Sequence, residues 1–280
     1  MMNKEEFIQL LQDKKYKTAQ NILSEMNDMD TAAFLEELDA KECALAFRLI
    51  SKEKAANIFS CMSSKMQTYL VDMFSETELK ELLDDLYMDD TVDMLEDLPA
   101  NLVTRILKNL DSNKRSTINK LLKYPEESAG SIMTTEYVTL KKTMTVKQAM
   151  NHIKEIGIHK ETIYTCYVTE NKRLMGIVTA KSLMTSDDDE NITNLMNTNI
   201  ISVHTHTDQE QVAHLFRKYD LIAMPVLDSD GCLVGIVTFD DAMDVIVDET
   251  NEDISLMAAM EPYEKTYFVT PVSQQAKHRI

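Results

Sequence analysis

The chain has 280 residues, 44% of them hydrophobic, and a formal net charge of -18. This length is typical of about two domains, and the hydrophobic content is sufficient for buried cores. The negative charge argues against a nucleic-acid partner and against a broad basic surface for anionic membranes. It favours cations or basic partners instead.

The cysteines and the hydropathy pattern bear on the cellular compartment. Cys43, Cys61, Cys166 and Cys232 lie far apart and form no CxxC pair. This favours reduced thiols in a cytoplasmic chain over a zinc site or a disulfide framework. No N-terminal stretch resembles a signal peptide, and no run of about 18 apolar residues could cross a bilayer. We therefore expect the chain as given to be soluble.

The first 124 residues contain one proline, Pro99, and no glycine, and they predict short helices in series. Apolar residues recur at helical spacing in segments such as 76–87, and the longest such segment covers 32–50. Ser51 and Ser75 stand where helix N-caps are expected. Each helix is too short to bury its apolar face alone. We predict a stacked helical solenoid, with an ordinary helical bundle as the alternative.

The second half, from about residue 131, contains an internal duplication. Met133 aligns with Met196, and Gly176 aligns with Gly235. Each copy has the order strand, helix, strand, turn, strand, helix, and the stretches VTENKRLMGIV and LDSDGCLVGIV are typical of β-hairpins. The pattern predicts two βαββα modules with their sheets packed together.

The segment from Asp220 to Glu264 contains twelve carboxylates and no Lys or Arg. Spacings of three and four place Asp241, Asp244 and Asp248 on one helical face. Two such charges about 4 Å apart repel by roughly 1 kcal/mol in bulk water. The pattern indicates a cation or a basic partner opposite this face, with a simple solvated acidic face as the alternative.

The duplicated units resemble CBS domains, because a GIVT-type strand is followed by a helix with an Asp three residues after the Thr. The chain as a whole resembles the cytosolic region of MgtE-type magnesium transporters. The segments YPEESAGSIMTTEYVTL, LYMDDTVDMLEDLP and VTFDDAMDVIVDETNEDI carry this resemblance, which covers nearly all 280 residues.

The resemblance implies a fold of class α + α/β. An N-terminal α-helical superhelix (1–129) would precede two CBS domains (130–191 and 192–254), and a connecting or plug helix (255–280) would follow. The family continues into transmembrane helices that form a magnesium pore and are not part of this chain. We therefore expect the regulatory portion of a transporter, located at the cytoplasmic face of the cell membrane.

The resemblance also implies that Mg2+ ions bind between the helical and CBS domains and hold a compact state that closes the pore. The implied metal ligands are Asp89, Asp93, Asp208, Glu210, Asp220, Asp241, Asp244, Glu249, Glu252 and Asp253. Where the family has a Glu in a KAAE-type segment, this chain has Asn57, which adds no charge. Mg2+ keeps several waters and needs only one or two carboxylates, so scattered acids suit weak binding.

Other functions remain open from the sequence. CBS pairs often bind adenine nucleotides such as ATP or AMP, and Thr238 with Asp241 retains one ribose-binding motif, whereas its counterpart has Thr179 and Ser182. An enzyme is not expected, because no catalytic motif is present. His204 and His206 are expected on one strand face. A protein-interaction scaffold is a third alternative, and the resemblance implies a homodimer formed through the CBS domains.

Overall fold

The computed structural model describes residues 3–257, which divide into two units between Lys123 and Tyr124. The first unit consists of the helices α1 (Lys4–Gln12), α2 (Tyr16–Glu25), α3 (Asp28–Glu36), α4 (Ala40–Phe47), α5 (Lys52–Ser60), α6 (Ser64–Met73), α7 (Glu76–Asp85), α8 (Met88–Asp97), α9 (Ala100–Asn109) and α10 (Ser112–Leu121).

From α5 onward, each helix stacks on the helix two places before it. One row consists of α3, α5, α7 and α9, and the other of α4, α6, α8 and α10. Contact with near neighbours alone is the property of a solenoid, so the predicted superhelix is confirmed and the bundle alternative is excluded. Fully buried apolar residues from both rows, including Leu35, Leu70 and Leu79, form its core.

Helix caps explain where the predicted helices begin and end. Ser75 forms a capping box with Glu78 at the start of α7. Ser51 occupies the N-cap position of α5 but makes no side-chain capping hydrogen bond. The segment 32–50 forms two helices, not one continuous helix, because the Asp39 carboxylate accepts hydrogen bonds from two amides and starts α4 anew.

The second unit contains two βαββα repeats, as the duplication predicts. The first consists of β1 (Val138–Lys141), α11 (Val146–Ile156), β2 (Thr165–Glu170), β3 (Arg173–Thr179) and α12 (Ala180–Met184). The second consists of β4 (Val203–His204), α13 (Gln209–Tyr219), β5 (Ala223–Leu227), β6 (Leu233–Thr238) and α14 (Phe239–Met257). In each sheet the first strand runs parallel to the second, which is antiparallel to the third.

The two repeats share one hydrophobic core cluster, to which strands of both sheets contribute. Tyr167 of the first repeat is fully buried with Ala223, Leu233 and Ile236 of the second. The Tyr137 hydroxyl donates a hydrogen bond to the carbonyl of Leu233 at 3.2 Å. The predicted packing of the two sheets is therefore present.

Each repeat is also joined to the segment that precedes the other one. Thr134 exchanges two backbone hydrogen bonds with Ile236 in β6, and Asn197 exchanges two with Ile177 in β3. Met133, one residue before Thr134, lies over Gly235. A Cβ atom on Gly235 would lie less than 3 Å from the Met133 side chain. Met196 lies over Gly176 in the same way. The aligned Met and Gly positions are thus partners across the fold.

The predicted connecting helix, 255–280, lies outside the described residues except for its first three, which continue α14. No helix among residues 3–257 is long and apolar enough to cross a membrane.

Candidate metal and nucleotide sites

The predicted ligands of the first unit lie on α8 but do not share one environment. Asp89 is buried, with 7% of its surface exposed, whereas Asp93 is exposed. Asp93 lines a cavity of about 170 Å³ together with Asp90 and Asp97. Ser60, Ser64 and Gln67 complete its polar lining. The sequence reasoning missed Asp90 and Asp97, although their spacing of three and four from Asp93 places all three on one helical face.

In the second unit, Asp208 and Asp220 mark the two ends of α13. The Oδ1 atom of Asp208 accepts hydrogen bonds from the amides of Glu210 (3.0 Å) and Gln211 (3.4 Å) and so caps the helix. Asp220 ends the helix in the left-handed conformation, with φ of 50°. The helical rise separates the two backbones by about 18 Å. They cannot coordinate one ion together.

Glu210 and Glu249 are brought together where α13 packs against α14. Both line a cavity of about 140 Å³ with His214 and Arg217. The Gln209 Nε2 donates to the Glu249 Oε1 at 3.0 Å and ties the two helices. The cation Arg217 therefore lines the same cavity as Glu249. The acidic segment from Asp220 to Glu264 has no Lys or Arg of its own, but the fold brings a positive charge to part of it.

Asp241 lies at the start of α14, and its pKa is displaced upward. The Thr238 hydroxyl donates to its Oδ2 at 2.5 Å, and the Thr238 amide donates to the same atom at 3.4 Å. Burial of the carboxyl raises the pKa of Asp241 to about 6, against the lowering effect of these hydrogen bonds, and Asp240 adds to the rise. The ionised form is disfavoured at this position.

Asp244 lies one turn further along the acidic face of α14. Partial burial raises its pKa, and the charges of Asp248 and Asp240 add to the rise. Glu252 is exposed further along the helix, and the side chain of Asp253 lies outside the described residues. The like-charge repulsion expected from the sequence is therefore present in the fold.

The first repeat offers no carboxylate at the position that corresponds to Asp241. Ser182 stands there, and its amide donates to the Thr179 Oγ1 at 3.1 Å. The carboxylate that the resemblance implies for ribose binding is thus present as Asp241 in the second repeat, and the first repeat has the neutral hydroxyl of Ser182 instead.

His204 and His206 do not share a strand face, contrary to expectation. His204 is the last residue of the short strand β4, and His206 lies in the turn that follows. The His206 ring packs edge-on against Tyr124, with 6.2 Å between the ring centroids.

The available donors fit a hard cation. Within residues 3–257, no group of three or more His, Cys, Asp and Glu side chains is arranged to hold a metal ion. The acidic faces offer carboxylate, hydroxyl and amide oxygens in ones and twos. Such donors match Mg2+, which retains most of its water, and they do not match a thiolate or imidazole site for a softer metal.

Both units of this chain match domains of known proteins. Residues 26–127 match the MgtE intracellular N domain, and residues 129–188 and 192–248 match the CBS domain. The chain thus has the architecture of a helical MgtE N domain followed by a CBS pair. It belongs to the MgtE family, as its sequence resemblance predicted.

Two curated relatives are magnesium transporters named MgtE. The chain is 33% identical over 263 residues to that of Thermus thermophilus and 30% identical over 251 residues to that of Bacillus subtilis. These alignments cover 92% and 89% of this chain. The chain spans 58% and 56% of the length of these two relatives.

Two solved structures resemble the fold closely. The soluble part of a magnesium transporter is 32% identical, with a TM-score of 0.81 over 88% of this chain and 99% of that one. The cytosolic domain of the Mg2+ channel MgtE in complex with ATP is 33% identical, with a TM-score of 0.82 over 87% of this chain and 100% of that one.

Proposed function

We propose that this chain is the magnesium-sensing regulatory module of a magnesium transporter, at the cytoplasmic face of the membrane. The observation that carries the proposal is the acidic face of α14, where Asp241 and Asp244 both have raised pKa values. A raised carboxyl pKa means that the ionised state costs free energy in this fold. A bound cation offsets that cost by stabilising the ionised form.

The ion chemistry supports Mg2+ as the ligand. The predicted acids Glu210, Asp244, Glu249 and Glu252 offer separate carboxylates, as does Asp93 on α8, and none belongs to an all-protein cage in the described residues. Hydrated Mg2+ bound by one or two carboxylates has weak affinity, which suits a sensor of free magnesium at millimolar concentration. A tight cage would stay occupied and would not respond.

The mechanism is a shift in population. Without Mg2+, repulsion among the acids disfavours the compact arrangement of the two units. Mg2+ stabilises the compact arrangement because it binds that arrangement more tightly than the open one. The size of the population shift is limited by the difference between the two affinities. In the full-length protein the compact state would close the pore.

The test is a magnesium titration of the chain at constant ionic strength, followed by its radius of gyration and by limited proteolysis. We expect millimolar MgCl2 to reduce both the radius and the cleavage rate, with NaCl of equal ionic strength as the reference. The variant Asp244→Asn should shift the midpoint to higher magnesium, and Glu5→Gln on α1 serves as a matched charge control. Equal responses to MgCl2 and NaCl would contradict the proposal and favour an interaction scaffold.

A second candidate function is adenine-nucleotide binding by the second CBS repeat. The Thr238–Asp241 pair favours it, and the related cytosolic domain that was solved in complex with ATP is 33% identical. We expect calorimetry with ATP or AMP to detect one site per chain. The variant Asp241→Asn should weaken it, and Asp93→Asn, which changes an acid of the other unit, should not. Binding that is unchanged by Asp241→Asn would place the nucleotide elsewhere.

We also propose that the module is a homodimer formed through the CBS unit. Phe239, Met243, Val247 and Ile254 on α14 are each 40–58% exposed. At 100° per residue they fall within an arc of about 80°, away from the acids Asp244 and Asp248. A second copy of the chain would cover this apolar face while leaving the carboxylates accessible to ions.

A further inference from the structure

The segment 124–131, which connects the two units along the chain, is built into the second CBS repeat. We call it the linker segment. The Ala129 amide donates to the carbonyl of Thr207 at 2.7 Å, and the Gly130 amide donates to that of Thr205 at 2.9 Å. Ala129 is fully buried, and the Ser131 hydroxyl accepts a hydrogen bond from the Ser128 amide and donates one to the Ser128 carbonyl. The linker segment thus has the properties of a structural element.

The linker segment supplies one of the hydrogen bonds that start α13. The Gln209 amide donates to the carbonyl of Glu127 at 2.9 Å, and Ser128 pairs with Asp208 in an antiparallel bridge. The next two amides, of Glu210 and Gln211, bond to the Asp208 carboxylate. The first amides of a helix have no partner within it, so this first turn depends on the linker segment and on Asp208 together.

Three of the proposed magnesium ligands depend on that turn. Asp208 and Glu210 lie in it, and Gln209 between them donates its side-chain amide to Glu249 on α14. If the linker segment leaves, the Gln209 amide loses its acceptor and the first turn can fray. The carboxylates of Asp208, Glu210 and Glu249 then lose their fixed positions.

The first CBS repeat contains the same backbone arrangement without the acids. There the Val146 amide donates to the carbonyl of Glu190 at 2.8 Å, and Thr145 pairs with Asn191. Thr145 and Gln148 cap α11, where the second repeat has Asp208 and Gln211. The segment 187–192 lies between the repeats, whereas the linker segment directly follows the N-terminal unit along the chain. In the first repeat, the segment between the repeats makes this contact with a helix start that carries no acid. In the second repeat, the linker segment makes it with the helix start that carries Asp208 and Glu210.

We propose that the linker segment positions Asp208, Glu210 and Glu249 for magnesium, so that strain on this connection lowers the affinity of the CBS unit for the ion. This inference rests on the proposed magnesium-sensing function. Positioning matters because a fixed carboxylate pair binds an ion without first being ordered. Movement of the helical unit and ion binding at α13 are then reciprocally coupled.

A substitution at Gly130 can disrupt the contact between the linker segment and Thr205 directly. A Cβ atom there would lie 2.5 Å from the Cγ of Tyr124 and 2.8 Å from the carbonyl oxygen of Thr205. Gly130→Ala therefore displaces the linker segment from Thr205. Gly157→Ala is the matched control, because its Cβ would meet two isoleucine methyl groups at 3.1 and 3.7 Å and no backbone atom within 4 Å. Tyr124→Ala removes the ring that packs on His206 without adding atoms, and it is the second variant should Gly130→Ala fail to fold.

The test combines hydrogen exchange with the magnesium titration, both on the full chain. In Gly130→Ala we expect amide exchange in 205–212 to rise about tenfold, while the equivalent stretch 142–149 keeps its rate. The magnesium midpoint should rise about threefold through loss of ordered ligands. Tyr124→Ala should produce smaller changes in the same direction, and Gly157→Ala should change neither quantity.

Two negative results separate the inference from the function on which it rests. A wild-type chain without a magnesium-specific response overturns the proposed function and this inference together. A normal wild-type response whose midpoint does not move in Gly130→Ala, although exchange in 205–212 rises, overturns the inference alone. Wild-type exchange of the linker segment at the rate of an unstructured peptide would also overturn it.

Discussion

Asp241 shows how one side chain can make the stability of a fold depend on pH. Its carboxyl is half-buried and accepts a short hydrogen bond from Thr238, yet burial keeps its pKa near 6 in place of the ordinary 3.8. The unfolded chain solvates the same carboxylate fully. The charge on Asp241 therefore disfavours the folded second unit wherever the pH exceeds these values.

The sign of the resulting pH dependence follows from the two pKa values. Well below pH 3.8 the carboxyl is protonated in both states and costs nothing. Between pH 4 and 6 the unfolded state loses its proton first, so stability falls as the pH rises. The difference corresponds to at most about 3 kcal/mol, and partial exposure reduces it.

We therefore predict that Asp241→Asn stabilises the second unit at neutral pH in magnesium-free buffer. The amide keeps an acceptor for Thr238 and carries no charge, so the gain at pH 7.5 should be about 1–2 kcal/mol and should vanish well below the unfolded pKa. Urea denaturation followed at the amides of β5 and β6 measures it. Parallel stability curves of variant and wild type between pH 4 and 7 would refute the assignment.

At the scale of the helices, basic side chains donate hydrogen bonds to the carbonyls at the C-terminal ends of helices in the solenoid. Arg105 on α9 donates to the carbonyls of Val71 and Phe74 at the end of α6, and its Nε bonds to Glu76 at 2.8 Å. Lys54 does the same for the end of α2, and Lys114 for the end of α7. Cations are favourable at helix C-termini because the last carbonyls there have no partner within the helix.

We predict that Arg105→Met destabilises the first unit by about 2 kcal/mol, because the carbonyls it binds lose a charged donor while the aliphatic bulk is kept. Lys108→Met on the same helix is the matched control. Lys108 is exposed, so its loss should cost less than about 0.5 kcal/mol. Thermal or urea unfolding of the first unit compares the two, and equal effects would show that Arg105 contributes only as a surface charge.

The sequence predicted each kind of element but not these connections. The βαββα order followed from alternating apolar strands and an internal repeat, and the short helices followed from their 3.6-residue period. The reach of Arg105 to Val71 depends on how helices of a solenoid are stacked, which local patterns do not specify. The break at Asp39 was missed because apolar spacing continued across the cap.

The candidate site divides along the same line. Spacing alone predicted the acidic face of Asp241 and Asp244, since both lie on one helix. It could not predict that Arg217 on α13 would line a cavity with Glu249 on α14, because that depends on how two helices pack. Asp208 was predicted as a ligand, and its additional role as the cap of α13 became evident only from its hydrogen bonds.

At the scale of the whole molecule, the apolar face of α14 should determine the oligomeric state. We predict that Val247→Glu converts a dimer into a monomer, because it places a charge on an apolar face that a second copy would bury. Gln211→Glu on the exposed surface of α13 adds the same charge and should leave the dimer intact. Sedimentation equilibrium decides between these outcomes. A Val247→Glu variant with the wild-type dimer constant would place the interface elsewhere.

The pairing of Thr134 with Ile236 has a consequence for biosynthesis. Thr134 leaves the ribosome about one hundred residues before its hydrogen-bonding partner is made. At 5–20 residues per second this interval is roughly 5–20 s. The helical solenoid depends on near neighbours and can form as it emerges, whereas the second CBS repeat must await its own last strand. Nascent chains stalled before β6 should therefore carry a finished helical unit and an unpaired backbone at Thr134, where a chaperone could bind.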